Sequence, residues 1–72
     1  MELHNRLREL RLQQGLTQVS LAERVGVTRQ TIIAVEKAKF VPSVKLALGL
    51  ADVLCASLED VFWLDTNKGG EE

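Results

Sequence analysis

Seventy-two residues, one cysteine, one proline and a formal charge of −1 confine the chain to one small domain, near the lower size limit for independent folding. A lone thiol forms no internal disulfide, and nothing has metal-ligand spacing, so the usual cross-links of mini-proteins are excluded. No apolar run approaches the ~20 residues of a membrane span and no leader-like segment is present, so a soluble cytoplasmic protein without a membrane partner is expected.

A pI of about 5.8 taken alone weighs against a nucleic-acid partner. The sum hides a polarity. Residues 1–45 carry eight Lys/Arg against four Glu, a net +4, whereas residues 46–72 carry one lysine against six carboxylates, a net −5. One end suits phosphates and the other suits solvent.

Leu3, Leu7 and Leu10 recur at spacings of four and three, the inward stripe of an amphipathic helix. Asn5 is placed to cap that helix and Gly15 to end it, which leaves Met1–His4 outside as extended chain. Thr17 caps a second helix, Gln18 to about Val25, that buries Leu21, Ala22 and Val25. Gly26 follows in the place of a left-handed terminator, and Val27 plugs the turn. Thr28 caps a third helix, Arg29 to about Lys37, with Ile32 and Val35 inward.

Pro42 disfavours helix at Val41, and Ser43 then opens a fourth helix with Leu46, Ala47, Leu50, Ala51 and Leu54 apolar. Gly49 inside it costs ~1 kcal/mol relative to alanine and so marks a close contact. Ser57-Leu58-Glu59-Asp60 fits the serine-x-x-acid opening of a short fifth helix that carries Val61 and Phe62. The domain is expected over residues 1–66, with a disordered polar tail at 67–72.

The stretch Thr17 to Glu36 is a capped helix, a glycine turn and a second capped helix. Helices joined this way cross at ~90–120°, leaving the start of the second free to enter a major groove. With it stand Arg8-Glu9-Leu10-Arg11, Gly15-Leu16-Thr17-Gln18, Leu21-Ala22, Val25-Gly26-Val27-Thr28-Arg29-Gln30-Thr31-Ile32, Val35-Glu36-Lys37, Pro42-Ser43 and Ser57-Leu58-Glu59-Asp60-Val61-Phe62. On these residues the chain resembles the Cro/C1-type (Xre-family) helix-turn-helix transcriptional regulators, close to the short stand-alone, cytolysin-repressor-like subgroup. The resemblance runs over residues 5–64. It implies an all-α, five-helix, lambda-repressor-like DNA-binding domain, with a small sheet from residues 2–4 and 62–65.

The first turn of the third helix offers the base-reading candidates Arg29, Gln30 and Thr31. Arg29 has donors for the two acceptors of guanine and Gln30 the donor–acceptor pair for adenine, and either can instead take a phosphate. One turn on, Ala34 offers apolar contact to a thymine methyl, and Ile33 suits either the groove or packing. Gln18 and Thr28 stand at helix starts, where N–H groups meet phosphates; the resemblance implies that Gln18 also supports the recognition helix. Lys37, Lys39 and the backbone at Phe40 are candidates for flanking phosphates. The plain alternative for each is a solvated side chain.

The resemblance also implies a partly buried structural salt bridge between Arg11 and Glu36. Ala38 and Cys55 depart from the family, which places glycine or asparagine at the first and glycine at the second, so a left-handed backbone there carries strain. Apolar residues left after the core is counted are Val41, Leu48, Val61, Trp63 and Leu64, the candidates for a homodimer interface. No general base, nucleophile dyad, metal cluster or cofactor motif is present, and no small-molecule effector is evident, so no enzyme activity is expected. The expectation is a homodimeric repressor on double-stranded DNA, each copy reading a major-groove half-site of an inverted repeat. The alternatives are an antitoxin or other protein-interaction module with the same fold, and a restriction–modification controller protein.

Overall fold

The computed structural model describes residues 1–65, and the tail expected at 67–72 lies outside the described residues. Strand β1 (Leu3–Asn5) leads into α1 (Leu7–Gln13), α2 (Gln18–Val25), α3 (Arg29–Glu36), α4 (Val44–Val53), α5 (Leu58–Val61) and β2 (Phe62–Leu64). The chain is a five-helix fold closed by a two-stranded antiparallel sheet, with Leu3 opposite Leu64, His4 opposite Trp63 and Asn5 opposite Phe62. The strands fall within one residue of the expected 2–4 and 62–65. A further backbone bond, Asp65 N–H to Glu2 C=O at 2.9 Å, extends the pairing by one residue.

Helices α2 to α5 start alike. The hydroxyls of Thr17, Thr28, Ser43 and Ser57 each accept from the backbone N–H three residues on, satisfying a donor that the helix leaves open. Helices α1 to α4 also end alike. Leu16, Val27, Lys39 and Ala56 each donate N–H to the carbonyl five residues back, at 2.8–3.1 Å. Each such closure has a left-handed residue inside it: Gly15 (φ 70), Gly26 (φ 75), Ala38 (φ 58) and Cys55 (φ 56). The expected departures at Ala38 and Cys55 therefore keep the turn and accept the strain.

The start of α1 differs from its expectation. Asn5 is the last residue of β1, and Arg6 occupies the cap position without a side-chain cap bond. The Asn5 side chain still serves the helix, because its Oδ1 accepts from Leu7 N–H at 3.0 Å. Its Nδ2 donates to the Val35 carbonyl at 3.0 Å, tying β1 to the end of α3.

The core comprises Leu7, Leu21, Ala22, Ile32, Val35, Leu50, Ala51, Leu54, Val61 and Phe62, with Leu3, Leu10, Val25, Val27, Leu46 and Ala47 packed around it. Two expectations are corrected here. Val61, a dimer candidate, is 0 % exposed: it points from the last turn of α5 into the core of the chain itself and leaves no surface for a partner. Gly49 marks no close approach, since a Cβ built on it would lie 3.8 Å from Val25 Cγ1, an ordinary contact.

Candidate nucleic-acid interface

Helices α2 and α3, joined through Gly26, Val27 and Thr28, form the helix-turn-helix. Leu21 and Ala22 fix α2 to the core, and Ile32 and Val35 fix α3, so the opposite face of α3 is presented outward. Its first two residues, Arg29 and Gln30, are exposed; Thr31, Ile33 and Ala34 are half-buried. Thr28 caps α3, accepting from Thr31 N–H at 3.3 Å, and the two threonine hydroxyls lie 3.2 Å apart. Beyond α3, Lys37, Lys39 and Phe40 are all exposed, grouping two cations and backbone on the same stretch.

Behind this face lies a chain of charge-assisted hydrogen bonds. Arg11 Nε donates to Glu36 Oε2 at 2.7 Å, and the two side chains are 8 % and 5 % exposed. Arg11 Nη1 also donates to the Leu16 carbonyl at 2.9 Å, fixing the turn before α2. Glu36 Oε1 accepts from Gln18 Nε2 at 3.2 Å. Gln18 Oε1 in turn accepts from Arg29 Nε at 3.2 Å. Four residues from three helices are thus bonded in series, and the series ends at the exposed arginine.

Three contributors escape a reading of the sequence alone. Asn5 carries a capping pattern, but its bond to Val35 spans thirty positions and has no local signature. Val44 and Leu58 border an apolar groove with Leu3, Pro42, Phe62, Trp63 and Leu64. A signal for Val44 exists: with Leu48 it makes an apolar i, i+4 pair on the face of α4 opposite Leu46 and Leu50. Val41, Val44 and Leu48 are 71 %, 73 % and 51 % exposed, and Trp63 and Leu64 are also exposed. With Val61 set aside, the other dimer candidates, Val41, Leu48, Trp63 and Leu64, all lie outside the core.

A capped two-helix unit with its second helix outward, cations around that helix and, at its start, an exposed arginine bonded to Gln18 defines a helix-turn-helix DNA-binding regulator. A helix-turn-helix family model matches residues 7–61, and the chain belongs to this family, the Cro/C1-type (Xre) regulators. It is 48 % identical over 63 residues to the HTH-type transcriptional regulator YgzD of Bacillus subtilis, covering 88 % of this chain and 96 % of that one. It is 57 % identical over 60 residues to an HTH-type transcriptional regulator of Methanothermobacter thermautotrophicus, covering 82 % and 87 %.

Among solved structures it resembles the restriction–modification controller protein C.AhdI of Aeromonas hydrophila, with TM-score 0.71, 36 % identity, and coverage of 76 % of this chain and 80 % of that one. The clp gene regulator ClgR of Corynebacterium glutamicum gives TM-score 0.71 and 30 % identity over 75 % of this chain, which spans 57 % of that longer protein. No described helix is long and apolar enough to cross a membrane.

Proposed function

We propose that the protein is a sequence-specific transcriptional repressor that binds an inverted-repeat operator as a homodimer. The observation that carries the reading is the outward start of α3, where exposed Arg29 and Gln30 stand beside a capped helix N-terminus. Base contacts fall to Arg29, Gln30 and Thr31, with Ile33 and Ala34 offering apolar surface. Phosphate contacts fall to Gln18, Thr28, Lys37, Lys39 and the backbone at Phe40.

The second copy docks on the groove beside Trp63. Exposed Val44, Leu58 and Leu64 line it, and a small domain without cross-links gains from covering such a patch. Two copies related by a two-fold axis place their recognition helices about one DNA turn (~34 Å) apart. Occlusion of a promoter is the regulatory outcome of such binding.

Selection of bound sites from a random DNA pool, at low and high salt, tests the reading. Salt-sensitive retention and recovery of two-fold symmetric sites are expected, because neutralised phosphates release counterions. Retention that is absent at every salt concentration would remove the DNA reading. The likeness to a controller protein supports a second reading, in which the same dimer both activates and represses. A reporter read across protein concentration separates the two: with a repressor its output falls monotonically, whereas with a controller it rises and then falls.

A further inference from the structure

We infer that the cleft between α2 and α4 is an effector site for a small aliphatic zwitterion, a linear chain with a carboxylate at one end and an ammonium at the other. The site stands apart from the DNA-binding reading, since no residue assigned to DNA or to the dimer lines it; its effector role rests on that reading.

The cleft has a volume of about 490 Å³, within the range of roughly 300–1,000 Å³ found for small-molecule sites. Its floor is apolar. Val25 of α2 and Val53 of α4 flank Gly49, which has no side chain to fill the space between the two helices. A Cβ there would make only an ordinary contact, 3.8 Å from Val25 Cγ1, so helix packing does not demand the glycine. What it provides is open floor between two charges that line the same cleft, Lys45 and Asp52.

Both charges work against the helix that carries them. Lys45 stands in the first turn of α4 and Asp52 in the last, so each faces the helix end of its own sign. They are seven positions apart, about 10 Å of helix rise, and among the described residues neither forms a salt bridge. A ligand carboxylate beside Lys45 and an ammonium beside Asp52 relieve both conflicts together. Arg24, in the last turn of α2, adds a second cation on the facing wall. Two cations against one acid make the carboxylate the stronger anchor, and the aliphatic chain lies over Val25, Gly49 and Val53. A singly charged ion leaves one conflict standing, and an α-amino acid holds its charges too close together to meet both.

The cleft joins two working parts of the molecule. Helix α2 and the turn through Gly26 and Val27 belong to the helix-turn-helix, whereas α4 also presents Val44 to the proposed dimer groove. A ligand that bridges these walls favours one angle between them, and with it one spacing of the two recognition helices. It shifts operator affinity by as much as its own affinity differs between the available angles.

Titration of the isotope-labelled full chain with ε-aminocaproate, followed by amide NMR, tests the site. Shifts centred on Val25, Gly49 and Val53 are expected. Caproate and hexylamine, each lacking one charge, are expected to bind about 2–5-fold more weakly, the worth of one exposed ion pair. Lys45→Ala is expected to shrink the advantage over hexylamine, and Asp52→Asn the advantage over caproate; both positions are exposed. Gly49→Leu, which fills the floor, is expected to abolish the shifts, with Gly49→Ala in its place if a circular dichroism melt shows the leucine variant unfolded.

Absence of shifts at millimolar ε-aminocaproate, or shifts centred away from the cleft, would overturn the site. Equal binding of the three compounds, or preferences unmoved by Lys45→Ala and Asp52→Asn, would overturn the zwitterion assignment. Operator affinity is then measured without and with saturating ε-aminocaproate, and a several-fold change is expected. An unchanged affinity would overturn the effector role alone. Failure of the unliganded chain to bind any DNA would overturn the DNA reading and the effector role with it, and leave the site standing.

Discussion

Arg11 in α1 and Glu36 at the end of α3 meet at 2.7 Å with both side chains almost fully buried. Taking two charges out of water costs several kcal/mol each, and the pair returns that only while both partners and their further bonds are in place. Glu36→Ala strands the Arg11 guanidinium and is expected to lower stability by about 3–5 kcal/mol. The double replacement Arg11→Met, Glu36→Leu is expected to recover most of that loss, since no buried charge is then left unpaired. Urea unfolding of the three proteins checks the sign, and a double variant no better than Glu36→Ala would show that packing rather than charge governs the site.

The four left-handed helix ends give a paired prediction. Ala38 and Cys55 hold φ of 58° and 56° with a Cβ, a conformation costing roughly 1–2 kcal/mol outside glycine. Ala38→Gly and Cys55→Gly are each expected to stabilise, by about 0.5–1 kcal/mol once the greater freedom of glycine in the unfolded chain is subtracted. Gly26→Ala is expected to destabilise by about 1 kcal/mol or more although open space surrounds it, because the penalty lies in the backbone and not in a clash. Thermal melts of the three variants should move in these opposite directions.

Gly49 lies inside α4 with room for a methyl group against Val25. Gly49→Ala is therefore expected to raise stability by about 0.5–1 kcal/mol through helix propensity and loss of unfolded-state entropy. A fall in the urea midpoint would show that α2 and α4 must approach more closely than this.

These positions separate what a sequence carries from what it does not. The caps at Thr17, Thr28, Ser43 and Ser57 and the turn at Gly26 are local chemistry, complete within four or five residues, and are legible. Val61, Phe62 and Trp63 are consecutive apolar residues where α5 passes directly into β2. Four helical residues are too few to establish a period, so which of them faces inward depends on the sheet register, and the burial of Val61 is not legible. The same limit applies to Gly49, whose meaning depends on an interhelical distance. Of the candidate interface, the outward start of α3 is legible from its cap. The Gln18 bridge between Glu36 and Arg29 joins residues eighteen and eleven positions apart, and only the fold brings them into bonding distance.

Val44 offers a cleaner test of the proposed dimer than Trp63. Trp63 stacks against His4, with centroids 6.1 Å apart, and carries the Arg6 guanidinium 5.0 Å above its ring, so replacing it disturbs the sheet as well. Val44 is 73 % exposed at the first position of α4, where an acid suits the helix dipole. Val44→Glu is expected to leave the fold intact and to halve the mass seen in equilibrium sedimentation, with Trp63→Glu giving the same mass. Dimers that survive Val44→Glu would move the interface off this groove.

Lys37 and Lys39 follow α3 as exposed cations and are assigned to phosphates, which every DNA sequence presents. Their removal should therefore weaken binding alike on specific and random DNA, in contrast to Arg29. Each lysine that neutralises a phosphate contributes about 0.9 to the slope of log affinity against log salt, so the slope is expected to become shallower by that amount in each alanine variant. Lys37→Ala also removes a cation from the C-terminal end of α3, a place worth about 0.3–1 kcal/mol to the helix, so its salt slope is measured below the melting range. A Lys39→Ala protein with an unchanged slope would place that lysine in solvent, and one with altered base preference would place it in the groove beside Arg29.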